Sequence, residues 1–258
     1  MGDTVIYERD GHVATITYNR PDSLNAIDAQ MRQDLNATFE RFRDDTDAWV
    51  GIVTGAGRAF CVGADMKNPG GSAGTWPATY WEIPTINSFE SGMEVFKPII
   101  AAVNGYCLGY GLTGVTQMDF VIASERAEFG FPEVTLGTPT IVGAIRTPWK
   151  VGWQNAMELL LTGDRVSAER AREMGLVWKV VPHDSLMDEA RALGARLLKA
   201  APLAARATKE VAYRARFMGW IEAVRFGETM RRQVGQTEDA REGGVARREG
   251  REPDWKGR

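Results

Sequence analysis

Two features have the residue types for chemistry: GYGLTG at 109–114, and Glu133 downstream of it. The hexapeptide fits G-x-G-x-x-G, a turn whose glycines let the backbone approach a phosphate. A dinucleotide site also needs a strand before the turn, a helix after it, and an acid closing the next strand. The apolar run 98–103 supplies the strand. The helix window between Gly114 and Asp119 is very short, however, and Glu133 follows Pro132, beyond a second extended piece. The nicotinamide reading therefore yields to another. Glycines also expose backbone N–H groups to a carbonyl oxygen that gains charge during reaction. Such an oxyanion hole uses N–H groups from two loops, and a second glycine loop, FCVGADMK, stands at 60–67.

Glu133 is the candidate acid–base group. A carboxyl with an ordinary pKa of about 4.3 can be tuned toward neutrality by burial. Thr113 offers a hydroxyl that is too weak an acid to serve as a base, but it can orient a water.

The elements that must position these groups follow from periodicity. Residues 5–18 alternate in strand fashion around Asp10-Gly11, a hairpin signal. Ile27, Met31, Leu35, Phe39 and Phe42 repeat at helical spacing. Apolar strands are expected at 49–54, 98–103 and 119–123, with a short extended piece at 128–131. From Ser167 onward the chain reads as charged helices. Strands alternate with helices, so the fold class is α/β.

Composition excludes several functions. A net charge of −3 over 258 residues argues against a nucleic-acid surface. The N-terminus lacks a signal-peptide pattern, and no apolar run reaches the roughly 20 residues of a membrane helix. His12 and His183 lack neighbours at ligand spacing, so no metal site is expected. Cys61 and Cys107, both in apolar company, fit two buried thiols in a cytoplasmic protein.

Several longer motifs, in order, resemble the crotonase superfamily of enoyl-CoA hydratases and isomerases. They are NRPDSLNA at 19–26, AFCVGADMK at 59–67, KPIIAAVNGYCLGYG at 97–111, FGFPEVTLG at 129–137, LLLTGDRVSAERAREMGLVWKVVP at 159–182 and the tail REPDWKGR. The resemblance implies a crotonase-like spiral core of repeated ββα units over residues 1–195. A C-terminal helical oligomerisation region, 196–258, would build a homotrimer or a hexamer. The implied ligand is an acyl-CoA thioester, with coenzyme A carried on the substrate and no other cofactor.

By the same resemblance, the backbone N–H groups of Ala64 and Tyr110 form the oxyanion hole, with Tyr110 replacing the usual glycine. Leu24, Ala26, Val62, Asp65, Met66, Lys67, Gly109, Pro132 and Lys256 would contact the CoA thioester. Lys67 and Lys256 would serve its phosphates, and Asp65 would order its loop. Glu133 matches the second of two glutamates that commonly carry hydration, and the first falls at Thr113. The stretch 139–144 also departs from the family's glycine-rich pattern. Hydration of a 2-enoyl-CoA leads. Isomerisation of a 3-enoyl-CoA, hydration coupled to retro-aldol cleavage, and acyl-CoA binding without catalysis are the alternatives. By the resemblance, Trp76 and Trp81 fall where a variable lid contributes to the acyl pocket, and they would select a bulky or aromatic acyl group by stacking.

Overall fold

The computed structural model describes residues 3–67, 88–89 and 92–258. The expected hairpin is present as β1 (Val5–Asp10) and β2 (Val13–Tyr18), turning at Gly11. Helix α1 (Ala29–Asp44) buries Met31, Leu35, Phe39 and Phe42. Ile27 lies outside it, because the Asp28 carboxylate accepts the Met31 N–H at 2.8 Å and caps the helix there.

Three double-strand units follow. β3 (Val50–Gly55) leads to β4 (Ala59–Cys61). β5 (Ile99–Val103) leads to β6 (Tyr106–Leu108) and then to α2 (Tyr110–Val115). β7 (Phe120–Ser124) leads to β8 (Glu128–Gly130). In each unit the first strand joins one sheet and the second joins another. With β10 (Lys179–Val181), the larger sheet runs β1-β2-β3-β5-β7-β10 and is parallel from β2 onward. The smaller sheet runs β4-β6-β8-β9, where β9 is Val166–Ser167. This is the spiral of ββα units. The sequence places Phe60 and Cys61 of β4 in a glycine loop and gives no strand signal at β6. Strands of three residues are too short to show alternation.

The large sheet is buried on both faces, as parallel sheets are. Ile99, Ala101 and Val103 face the main core, and Ile100 and Ala102 face a second cluster. Helix α3 (Val142–Val151) packs on α2 and on α4 (Trp153–Leu161), α4 reaches the turn after β8, and α5 (Ala168–Glu173) packs on β8 and β9. Helix α6 (Leu186–Leu197) covers the second cluster with Leu186, Ala190 and Leu193. The expected boundary at 195 thus falls inside a helix that caps the sheet. Helices α7 (Pro202–Arg214), α8 (Trp220–Val234) and α9 (Glu238–Glu249) complete the chain. Among the described residues, no helix is long and apolar enough to cross a membrane.

Cys61 and Cys107 are register partners on β4 and β6, fully buried and unbridged. Burial pushes the Cys61 thiol up to about 12 and raises Cys107 well above the ordinary range. A thiol so raised keeps little thiolate near pH 8, so its alkylation should be slowed about 1000-fold relative to a free cysteine. Titration with a chromogenic disulfide reagent should find no reactive thiol in the native protein and both after denaturation. A fast-reacting native thiol would contradict this packing.

Candidate active site

The two glycine loops meet because Ile27 ties one of them down. Ile27 donates its N–H to Gly63 O at 2.8 Å and accepts the Asp65 N–H at 3.0 Å, forming a short parallel bridge against Ala64. In such a bridge one residue bonds both neighbours of its partner. The N–H of Ala64 therefore points away from Ile27, and Ala64 is exposed. The facing loop lies close by. A Cβ built on Gly63 would stand 3.4 Å from Tyr110 N and 3.3 Å from Leu108 O. Tyr110 is the first residue of α2, where helix geometry turns N–H groups outward along the axis.

The segment before Ile27 is stapled by its polar residues. Leu24 and Asn25 adopt left-handed backbone, φ 52° and 57°. Asn25 is fully buried. It accepts the Arg20 N–H at 2.8 Å and donates to Ala56 O and Ala59 O at 3.0 and 2.8 Å. Arg20 donates to the carbonyl of Ala26 and reaches the carboxylates of Asp28 and Asp65, at 2.9 and 3.0 Å. Asp65 also accepts the Lys67 N–H at 3.0 Å. Its carboxylate thus ties the loop to Arg20 and to the Lys67 N–H. Leu24 and Ala26 flank the stapled Asn25, and Val62, Met66 and Lys67 belong to the Ala64 loop. Met66 and Lys67 are exposed. Sequence reasoning did not single out Asn25 or Arg20, although both stand in the motif it quoted.

Glu133 arrives from the other side, on a 3-10 turn at Pro132–Leu136 that follows β8. Pro132 opens the turn, where a missing N–H costs nothing. The carboxylate lies against Gly109, since a Cβ on that glycine would be 3.1 Å from Glu133 Oε1. Gly109 has φ 54° and ψ −120°, a conformation that glycine tolerates. Gly111 permits a second close approach, as a Cβ there would be 2.7 Å from the Cys61 backbone oxygen. Glu133 Oε2 is buried and has no hydrogen-bond partner among the described residues. A buried carboxylate oxygen left unpaired is costly, and active sites retain such groups for a ligand to satisfy. Thr113 is buried one turn into α2, its N–H bonded to Gly109 O at 2.9 Å.

The structure thus brings together Ala64, Gly109, Tyr110, Thr113, Pro132 and Glu133. Within one chain it holds Lys256 elsewhere. The Asp239 carboxylate accepts the N–H groups of Lys256 and Gly257 at 2.6 and 2.9 Å, and Lys256 Nζ pairs with Asp254 at 2.5 Å. Gly257 packs on Trp49, just ahead of β3, whereas the Ala64 loop lies beyond that strand's other end. Trp76 and Trp81 lie outside the described residues. His12 stacks on Trp49, and His183 bonds Ser124 Oγ at 3.1 Å. Among the described residues no cluster of three metal-ligating side chains occurs.

The Enoyl-CoA hydratase/isomerase family profile matches residues 8–258. The (E)-benzylidenesuccinyl-CoA hydratase of Thauera aromatica is 36% identical over 255 residues, covering 98% of this chain and 99% of its own. An enoyl-CoA hydratase/isomerase crystal structure from Mycobacterium paratuberculosis superposes with a TM-score of 0.87 at 39% identity, covering 99% of each chain. The enoyl-CoA hydratase structure from Mycobacterium tuberculosis H37Rv gives 0.89 at 32% identity over 100% of both chains.

Gly109 tests the geometry. Gly109→Ala forces a side chain into left-handed backbone and against Glu133, a strain of about 1–3 kcal/mol. Thermal unfolding should show that loss. Activity, once a substrate is in hand, should fall further than stability alone explains. Wild-type stability with full activity would refute the close Gly109–Glu133 approach.

Proposed function

The chain belongs to the enoyl-CoA hydratase/isomerase family, and from that premise we propose that it adds water across the double bond of a 2-enoyl-CoA. The observation that carries the reading is the unpaired, buried Oε2 of Glu133 beside the loop pair. The N–H groups of Ala64 and Tyr110 hold the thioester oxygen as it becomes an enolate. Fixed backbone donors stabilise that charge without reorganising. Glu133 takes a proton from the attacking water as its oxygen bonds Cβ, and returns a proton to Cα. Bonds and charges balance with one carboxylate cycling between base and acid. Thr113 orients the water in place of a second carboxylate. The step is redox-neutral and uses no cofactor beyond the coenzyme A of the substrate.

Leu24, Ala26, Val62, Asp65, Met66, Lys67, Gly109 and Pro132 line the path of the thioester. Asp65 acts there through loop order, and Lys67 is free to approach phosphate. Assembly into a homotrimer or hexamer is supported by α8, which buries none of its residues and leaves Trp220, Ile221 and Val224 exposed. Lys256 would then act from a neighbour's tail. Two unbridged buried thiols and the bacterial relatives favour the cytoplasm.

One observation favours the isomerase as second reading: Thr113 stands where hydration commonly uses an acid, and proton transfer between Cα and Cγ needs only one base. A mass-spectrometric screen of 2-enoyl, 3-enoyl and hydroxycinnamoyl thioesters separates the activities. Hydration of the 2-enoyl thioester is expected. Glu133→Gln should lower its kcat by roughly 10²–10⁴-fold with acyl-CoA affinity retained. Thr113→Val should lower hydration about 3–10-fold, the worth of one hydrogen bond, and spare any isomerisation. Undiminished turnover by Glu133→Gln would remove Glu133 from the mechanism.

A further inference from the structure

Tyr110 contributes more than a backbone donor. Its ring is carried by the residue whose N–H, in the site proposed above, receives the thioester oxygen. Arg32, on α1, engages that ring at its tip and on its face. Nη1 donates to the Tyr110 hydroxyl at 3.0 Å, and the guanidinium carbon lies 4.8 Å from the ring centroid. A planar cation bound in both ways fixes an aromatic ring in one orientation.

The ring fills a cleft that the helices otherwise leave open. On α2, Gly114 carries no side chain, and a Cβ there would meet nothing within 4 Å. Residues three and four apart share a helix face, so this emptiness lies on the Tyr110 side. Across the cleft stand Leu35 and Phe39, with Phe89 stacked on Phe39 at a centroid distance of 3.8 Å. What remains among the described residues is a void of about 20 Å³. That volume suits one water, not a hydrocarbon chain.

We infer that Tyr110, clamped by Arg32, closes the acyl pocket on the α1 side and selects compact acyl groups over extended chains. The inference rests on the acyl-CoA site proposed above. Removal of the ring opens a channel walled by Leu35, Phe39 and Phe89, whose apolar surface would reward added methylenes. Arg32 is here a positioning residue, since it acts through the ring.

Calorimetric affinities for butyryl-CoA and decanoyl-CoA, which cannot be hydrated, test this apart from turnover. In the wild type the longer chain should gain little affinity over the shorter. Tyr110→Gly should raise the decanoyl-to-butyryl affinity ratio at least about tenfold, as newly buried methylenes contribute. Arg32→Met keeps the ring but releases it, and should raise the ratio about threefold. That second variant decides the matter if Tyr110→Gly unfolds early in a thermal scan. An unchanged ratio in the folded variants overturns the inference, as does a wild type that already prefers decanoyl-CoA strongly. A wild type that binds neither probe overturns the acyl-CoA site as well. Failure to hydrate crotonyl-CoA with the binding pattern intact would strike only the proposed reaction.

Discussion

The site depends on one short parallel bridge, Ile27 against Ala64. Its two hydrogen bonds use the carbonyl of Gly63 and the N–H of Asp65, and so turn the Ala64 N–H away from Ile27. Everything upstream serves to place Ile27. Asn25 is buried in left-handed backbone, Arg20 gathers Asp28 and Asp65, and Asp28 starts α1 at the next residue. This strap ties the 62–67 loop to the segment that opens α1. A backbone donor must be fixed before charge develops if it is to lower a barrier.

The proposed chemistry also requires a carboxylate near these loops, and the fold sets Glu133 against Gly109 at a cost in stability. Among the described residues Glu133 leaves an oxygen buried and unpaired, and Gly109 occupies a conformation that favours glycine. The surrounding packing supports this. β4, β6 and β8 are hydrogen-bonded neighbours in one small sheet, so the loops after β4 and β6 and the turn after β8 open along one edge. The spiral arrangement therefore explains why three sequence-distant segments converge.

Much of this was legible in the sequence, for physical reasons. The hairpin and α1 have enough residues for their periods to show, and Asp28 before Ala29 is a capping signal. The strands β4 and β6 hid because three residues cannot alternate visibly. The candidate site was readable where it sits in motifs: Ala64, Tyr110, Thr113 and Glu133 are all proposed from residue type and resemblance. The contact of Glu133 with Gly109 depends on tertiary packing, which no local pattern encodes. The Arg32–Tyr110 pair spans 78 positions and is invisible for the same reason. The tail is a like case, since the Asp239 carboxylate fixes Lys256 and Gly257 through backbone groups that carry no sequence signature.

The central claim is that Glu133 exchanges a proton with Cα while two backbone N–H groups hold the enolate oxygen. Its most direct test separates that step from water addition. A saturated thioester such as butyryl-CoA, incubated in deuterium oxide, can exchange its Cα hydrogens only through an enolate. NMR or mass spectrometry should find Cα deuterium incorporation catalysed by the wild type and lost in Glu133→Gln. Exchange that continues undiminished in Glu133→Gln would contradict the account.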